Sequence, residues 1–336
     1  MVSVICPIYN EEKYIAQCIE SVLAQDYPQE KLEILFVDGM SSDRTREIVA
    51  QYAQQYNHIR LLDNPEKIVP YAMNRGIEEA KGDIIIRLDA HAIYPRHYFS
   101  ELVKGLERHQ ADNVGAQCST LPANDSAKAK AIAAALSSPL GVGNSMFRIG
   151  VTEDIEADTV PFGCFKREIF NQVGMYDLDL VRNQDDELNA RIIRHGGKIV
   201  LLAGITFNYY ARDTYSKLFR MYYQYGLYKP LVNKKLGSPA TIRQLIPPLF
   251  VLGIVVGMLL SLCLPYLWIA YTAVIGLYLL AGFIQGAQQA RKHRKAILLW
   301  LMPWAILTLH VSYGIGYWVG LGKVILRRPF HAQVNR

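Results

Sequence analysis

The first third of the chain alternates short apolar runs with stretches of helical spacing. Val2-Ser3-Val4-Ile5-Cys6 reads as a strand, and Pro7 to Glu11 as the polar loop after it. Tyr14, Ile15, Cys18, Ile19, Val22 and Leu23 recur at helical spacing, and Asp26-Tyr27-Pro28 stops them. Leu32 to Val37 is a second strand, ended by Asp38-Gly39. Ser41 or Ser42 is placed to cap the next helix, whose inner face carries Ile48, Val49 and Tyr52. Ile59 to Leu62 is a third strand, and Val69 to Ala80 a helix closed by Gly82. Ile84-Ile85-Ile86 opens a fourth strand, which stops at Leu88 and puts Asp89 and His91 in the loop at its carboxyl end. This alternation predicts a parallel sheet covered by helices.

Further on the signal thins. Pro95 to Arg108 reads as a helix and Asn113 to Gln117 as a strand. Residues 119–160 are rich in Ala, Ser and Gly, with a helix over Ala127 to Leu136; the remainder is expected to be loop. Val160 to Phe165 and Lys198 to Leu202 read as strands, and Asp185 to His195 as a helix ended by Gly196-Gly197.

The pattern changes after Asp213. Residues 214–236 mix Leu218, Met221, Tyr222, Tyr225 and Tyr228 with Lys217, Arg220, Lys229, Lys234 and Lys235. A basic, aromatic helix of this kind lies in a membrane interface or packs on its own domain. From Gln244 to Ala290 there is no Asp, Glu, Lys, Arg or His across 47 residues, room for two membrane spans with a turn at Pro265. Arg291-Lys292-His293-Arg294-Lys295 interrupts, and Ala296 to Gly322 is a third apolar run containing His310. The basic flanks predict that the first two spans form a hairpin with both ends in the cytosol. A full third crossing would leave Lys323, Arg327 and Arg328 outside. Pro303 and four glycines make a broken or interfacial segment the alternative.

Charge sharpens this division. All 30 acidic residues precede residue 214; with 22 Lys and Arg there, the first part nets −8. The second part carries 14 Lys and Arg and no acid, a net of +14. A basic, apolar C-terminal third favours anionic lipid as a partner over nucleic acid. A strand at Val2 with no basic segment before it predicts a cytosolic N-terminal domain. The five cysteines show no metal spacing and are expected to be free thiols. The expected organisation is a cytosolic domain over 1–213, a basic interfacial helix over 214–243, a membrane region over 244–322 and a basic tail over 323–336.

Candidate chemistry gathers at the carboxyl ends of the predicted strands, where open α/β sheets place ligands. Asp89 and His91 have the donor types to hold a divalent cation against a diphosphate, although a strand-end turn would use the same residues. Pro7-Ile8-Tyr9-Asn10-Glu11, Val37-Asp38-Gly39-Met40-Ser41-Ser42-Asp43-Arg44-Thr45, Asn74-Arg75-Gly76, Ala80-Lys81-Gly82-Asp83, Asp89-Ala90-His91 and Asp185-Asp186-Glu187-Leu188 follow in order. In that order they resemble the family 2 glycosyltransferases of GT-A fold, over about residues 1–230. Arg87-Leu88-Asp89-Ala90-His91-Ala92 and Asn183-Gln184-Asp185-Asp186-Glu187-Leu188 look most like the succinoglycan-type glucosyltransferase branch.

The resemblance implies a Rossmann-like, mostly parallel GT-A catalytic domain followed by a helical transmembrane region. It implies an inverting transfer of one hexose, such as glucose, from a UDP-sugar to a polyprenyl-diphosphate-linked saccharide at the inner membrane. Pro7, Tyr9 and Glu11 would border the nucleoside, and Asp38 would accept the uracil N3–H. Asp89 and His91 would hold Mn²⁺ or Mg²⁺, and the imidazole favours Mn²⁺. Asp185 would be the general base, with Asp186 the alternative; Gln184 stands where the family has Glu and cannot serve. The Gln-x-x-Arg-Trp motif of processive synthases is absent, so one sugar per encounter is expected. A polyprenyl-phosphate sugar synthase and a non-catalytic membrane scaffold are the competing readings. A chain ending near Leu236 is expected to be more soluble than the whole.

Overall fold

A computed structural model describes residues 1–239 and 241–330. The last six residues of the expected basic tail therefore lie outside the described residues. The chain forms two compact units, one from Met1–Ser119 with Gly150–Tyr209, the other from Thr120–Ile149 with Tyr210–Phe330.

The first unit follows the alternation of the sequence. It runs β1 (Val2–Ile8), α1 (Ile15–Leu23), β2 (Leu32–Asp38), α2 (Thr45–Gln55), β3 (Ile59–Asp63), α3 (Val69–Glu79) and β4 (Ile84–Arg87). β5 (Ala92–Ile93), α4 (Tyr98–Arg108) and β6 (Asn113–Leu121) follow. The chain then leaves for α5 (Ala127–Leu136), α6 (Pro139–Val142) and α7 (Met146–Ile149). It returns as β7 (Ile155–Glu156), β8 (Cys164–Lys166), α8 (Ile169–Val173), α9 (Gln184–Arg194) and β9 (Ile199–Tyr210). The strand order is β3-β2-β1-β4-β8-β6-β9-β5, with β7 against β9. β1 pairs in parallel with β2 and β4, and β2 with β3; β8 joins β4 antiparallel. The α/β sheet of GT-A type expected from the sequence is present; its β3-β2-β1-β4 part is parallel as expected, and the sheet as a whole is mixed, with β8 antiparallel to β4 and β6 and with β5 and β7 antiparallel to β9.

β1 and β2 are buried along almost their whole length, as strands covered on both faces must be. Two of their buried polar residues, Ser3 and Glu33, serve the architecture. Ser3 Oγ donates to Glu33 Oε1 (2.5 Å), which also accepts the Lys81 N–H, and Gly82 N–H donates to Ser3 Oγ. A side chain at Gly82 would collide with the backbone of Met1 and Ser3, its Cβ 2.7 Å from each. This knot fixes the start of β4 against β1, and so fixes where β4 ends.

Two local expectations change. The strand expected over Val160 to Phe165 shrinks to Cys164–Lys166, because Pro161 has no N–H to give and Phe162 takes φ 46°. Ser41 and Ser42 do not cap α2, which starts at Thr45; Asp43 Oδ1 accepts the Thr45 N–H instead (3.0 Å).

The second unit consists of helices. α10 (Tyr215–Leu236), α11 (Ile246–Cys263), α12 (Leu267–His293) and α13 (Leu298–Ile325) are joined by α5 to α7. The last three are long and apolar enough to cross a membrane. The helix expected over Ala127 to Leu136 is present as α5, and it is buried. Ile132, Ala135 and Leu136 pack with Leu218 and Met221 of α10 and with Leu298, Met302, Ile306 and Leu309 of α13. α10 packs one face on α13 and leaves Lys217, Phe219 and Arg220 exposed.

Candidate active site

Two loops leave the carboxyl ends of β1 and β2 and are stitched together. Asn10 (φ 55°) receives the Ser42 N–H on its Oδ1 (2.8 Å) and donates its own N–H to Ser41 Oγ (2.8 Å). Glu11 N–H donates to Thr45 Oγ1 (2.6 Å), and Glu12 N–H to Asp43 Oδ2 (3.2 Å). Burial pushes Asp43 upward, but hydrogen bonds from Thr45 and from backbone N–H groups hold it below the usual carboxylate range. This network explains why Ser41 is unavailable as a cap.

Asp38 ends β2 and is 0% exposed. Its Oδ2 accepts the Ser41 N–H (2.9 Å) and an Arg46 N–H (2.7 Å), and its Oδ1 accepts Ser41 Oγ (2.5 Å). A carboxylate offers roughly four acceptor sites; these bonds use three, and the fourth, on Oδ1, lies within a fully buried side chain. The second arm of Arg46 reaches Asp63 Oδ1 (2.7 Å). Tyr9 stands on the neighbouring loop with Lys67 Nζ 6.0 Å from its ring centre.

The end of β4 is held more rigidly than its sequence suggests. Tyr94 Oη accepts the Asp89 N–H (2.8 Å) and donates to the Asp89 carbonyl (3.1 Å). Asp89 Oδ1 accepts the His91 N–H (2.9 Å), which closes a tight Asx-type turn. His91 Nδ1 lies 2.7 Å from Oε2 of the buried Glu11. Glu11, expected beside the nucleoside, stands against the His91 ring.

Asp185 lies in the first turn of α9, which follows Asn183 in a left-handed conformation with no side-chain cap. It does not cap the helix. It pairs with Arg87, whose side chain is 7% exposed at the end of β4. The guanidinium carbon also lies 5.8 Å from the Phe162 ring and 6.0 Å from the Tyr176 ring. Burial opposes the Arg87 charge, but Asp185, then Tyr176 and Asp89, outweigh it and hold its pKa up. Burial likewise raises Asp185. Arg87 pulls against that rise, and the charges of Asp186 and Asp89 add to it. Protein encloses Asp185, yet 31% of its side chain faces solvent, so an acceptor can reach it. Glu187 is engaged elsewhere. Arg191 grips it at 2.7 Å and also donates to the carbonyls of Val173, Gly174 and Met175.

The acidic residues singled out in the sequence thus meet at one end of the sheet, and Arg87 links two of their clusters. Sequence reasoning gives no role to Arg87 or Tyr94. Arg87 carries a signal, as a charge inside an apolar strand; Tyr94 carries none. Among the described residues, no cluster of three or more His, Cys, Asp or Glu side chains is arranged to hold a metal. Asp89 and His91 are a two-residue donor set.

Comparison with known proteins agrees with this geometry. The family profile for Glycosyl transferase family 2 matches residues 3–174. The dolichyl N-acetyl-alpha-D-glucosaminyl phosphate 3-beta-D-2,3-diacetamido-2,3-dideoxy-beta-D-glucuronosyltransferase of Methanococcus voltae is 30% identical over 96% of this chain and 97% of its own. Succinoglycan biosynthesis protein ExoA of Rhizobium meliloti is 31% identical over 94% of this chain and 93% of its own. Among solved structures, the Pyrobaculum calidifontis mannosyltransferase PcManGT in complex with GDP-Man and Mn²⁺ superposes with a TM-score of 0.57. That match covers 95% of this chain and 86% of the other at 20% identity, and it speaks for the fold.

Proposed function

The chain belongs to glycosyl transferase family 2, and on that premise we propose that it moves one hexose, such as glucose, from a UDP-sugar to a lipid-linked saccharide at the cytosolic face of a membrane. The observation that carries this reading is the arrangement around Arg87, which brings a raised, solvent-reachable carboxylate at Asp185 beside Asp89.

In the proposed reaction Asp185 accepts the proton of the acceptor hydroxyl as that oxygen attacks the anomeric carbon. The bond from the anomeric carbon to the diphosphate breaks on the opposite side, and UDP leaves with the electron pair. One displacement inverts the centre and needs no covalent intermediate. Asp38 would offer its remaining Oδ1 site to the uracil N3–H, and Pro7 and Tyr9 would border the nucleoside. Asp89 and His91 would hold a divalent cation, Mn²⁺ or Mg²⁺, with Glu11 2.7 Å from Nδ1 of His91 and Nε2 as the ligating nitrogen. A cation there would neutralise charge on the departing diphosphate, whose oxygens would complete the coordination.

Both full-length relatives favour a saccharide acceptor. One name describes addition to a sugar already carried on dolichyl phosphate, the other a polysaccharide pathway. This weighs against transfer to a bare polyprenyl phosphate. The test is a screen of nucleotide sugars with purified full-length protein and a lipid extract, read by mass spectrometry of the product. A product with one added hexose on a lipid-linked sugar supports the assignment. A sugar attached directly to polyprenyl phosphate would replace it.

A further inference from the structure

The three long apolar helices of the second unit are not alike. In their most apolar windows, protein buries 11% and 6% of the first two and 44% of the third. α11 and α12 form an antiparallel hairpin, with Gly257 against the Tyr271 ring and Phe250 4.5 Å from Tyr278. Beyond this the hairpin projects with Leu259, Leu262, Tyr266 and Ile269 exposed.

α13 meets the hairpin at its open end. Gly314 abuts Pro247 and Val251, and Trp318 Nε1 donates to the Pro248 carbonyl (2.9 Å). On the other arm, Gly282 abuts Pro303, Gly286 abuts Leu299, and His310 Nδ1 lies 2.9 Å from Tyr278 Oη. Over the sixteen residues from Pro303 to Trp318, α13 thus advances no further along the hairpin than the level of Val251 and Tyr278. A helix crossing beside α12 would reach the hairpin turn at Pro265 instead.

α10 lies along α13, and the two run in the same direction. Tyr215 Oη donates to the Leu301 carbonyl, Gly226 abuts Tyr313, and Asn233 Nδ2 donates to Tyr317 Oη. Gly316 and Gly320 let the backbones touch: a Cβ on Gly320 would sit 2.1 Å from the Leu227 carbonyl oxygen. α10 carries Lys217, Arg220, Lys229, Lys234 and Lys235 and cannot lie across hydrocarbon, where each basic residue costs about 2.5–3.5 kcal/mol at mid-depth. Where α10 lies, α13 lies.

We propose that α13 does not cross the bilayer. It rests with α10 in the interface, on the side of the catalytic unit, and the α11–α12 hairpin alone spans. The face of α13 turned away from protein fits an acyl–headgroup boundary: Trp300, Trp304, Ile315, Trp318, Val319 and Ile325 are exposed at helical spacing along its length. The charges agree. Lys234 and Lys235, Arg291 to Lys295, and Lys323 to Arg328 then all flank the same leaflet, which a third crossing would forbid. The occupant of this face is the lipid surface, whichever sugar or acceptor the enzyme uses.

The test uses the full chain in sealed membrane vesicles of one orientation. Glu30→Cys, Tyr266→Cys and Arg328→Cys are each placed in a Cys263→Ser background, which leaves only buried native thiols. A membrane-impermeant maleimide should label Glu30→Cys and Arg328→Cys from the same face and Tyr266→Cys from the opposite face. Permeabilised vesicles show that every site reacts. Protease digestion of a tag appended to the C-terminus of the otherwise unaltered protein reads the same question without internal substitutions. Labelling or digestion of the C-terminus from the face opposite Glu30→Cys overturns the proposal.

Discussion

Arg87 and Asp185 stand 98 residues apart in the chain and form an ion pair where β4 meets the first turn of α9. The pair joins the loop of Asp89 and His91 to the carboxylate placed to accept a proton. It also sets how readily that carboxylate ionises, because Arg87 opposes the upward push of burial.

Removing the cation should therefore move a pH profile. As the proposed base Asp185 would act only when ionised, and its pKa in the folded protein is already raised, so activity should fall as pH drops through that value. In Arg87→Met the pKa rises further, and the acid limb of kcat/KM shifts to higher pH. Arg87→Lys keeps the charge and should shift it less. Leaving a buried partner unpaired costs about 3 kcal/mol at the low end, the relevant end because Asp185 is partly solvated. An unshifted acid limb in a folded Arg87→Met protein would break the link between the pair and catalysis.

Asp185→Asn separates the base from its acidic neighbour. The expected result is a kcat lower by roughly 10²-fold or more, with donor binding near normal. Asp186→Asn should cost far less. Wild-type turnover in Asp185→Asn, with a large loss in Asp186→Asn, would transfer the role to Asp186.

Chelation should abolish transfer, and Mn²⁺ should restore it at least as well as Mg²⁺. Calorimetry of UDP binding gives an independent readout: His91→Ala should remove the gain in affinity caused by Mn²⁺. Glu11→Gln, which acts through His91, should weaken it by about tenfold. Full activity in chelator would sink the metal assignment.

Asp38→Asn tests base recognition. The acceptor site on Oδ1 faces competition once an amide replaces the carboxylate, and the cost of a mismatched uracil N3–H is about 1–3 kcal/mol. A raised KM for the donor at unchanged kcat is expected. Because Arg46 also grips Asp38, a thermal melt must accompany the kinetics.

The sheet and the loops at its edge are legible because strands and helices differ in period, and because Asp38-Gly39 and Asp89-Ala90-His91 sit where a strand must stop. Arg87 is visible as an anomaly, but nothing local can name a partner on α9. Ser41 reads as a cap in the sequence because its competing donor, Asn10, comes from the loop after β1, although its acceptor, Asp38, ends the strand just before it. Residues 119–160 stay silent for a related reason. An Ala-rich helix shows little amphipathic contrast, and the surface that buries α5 lies on α10 and α13, far along the chain.

That last arrangement carries a consequence for how the molecule is made. The ribosome releases α5 long before α13, so Ile132 and Leu136 emerge before the larger part of the surface that covers them. Each forgoes part of the about 1.5–3 kcal/mol of its burial until the final helix arrives. A polypeptide cut near Leu236 keeps the α10 part of that cover, Leu218 and Met221, and lacks Leu298, Met302, Ile306 and Leu309 of α13.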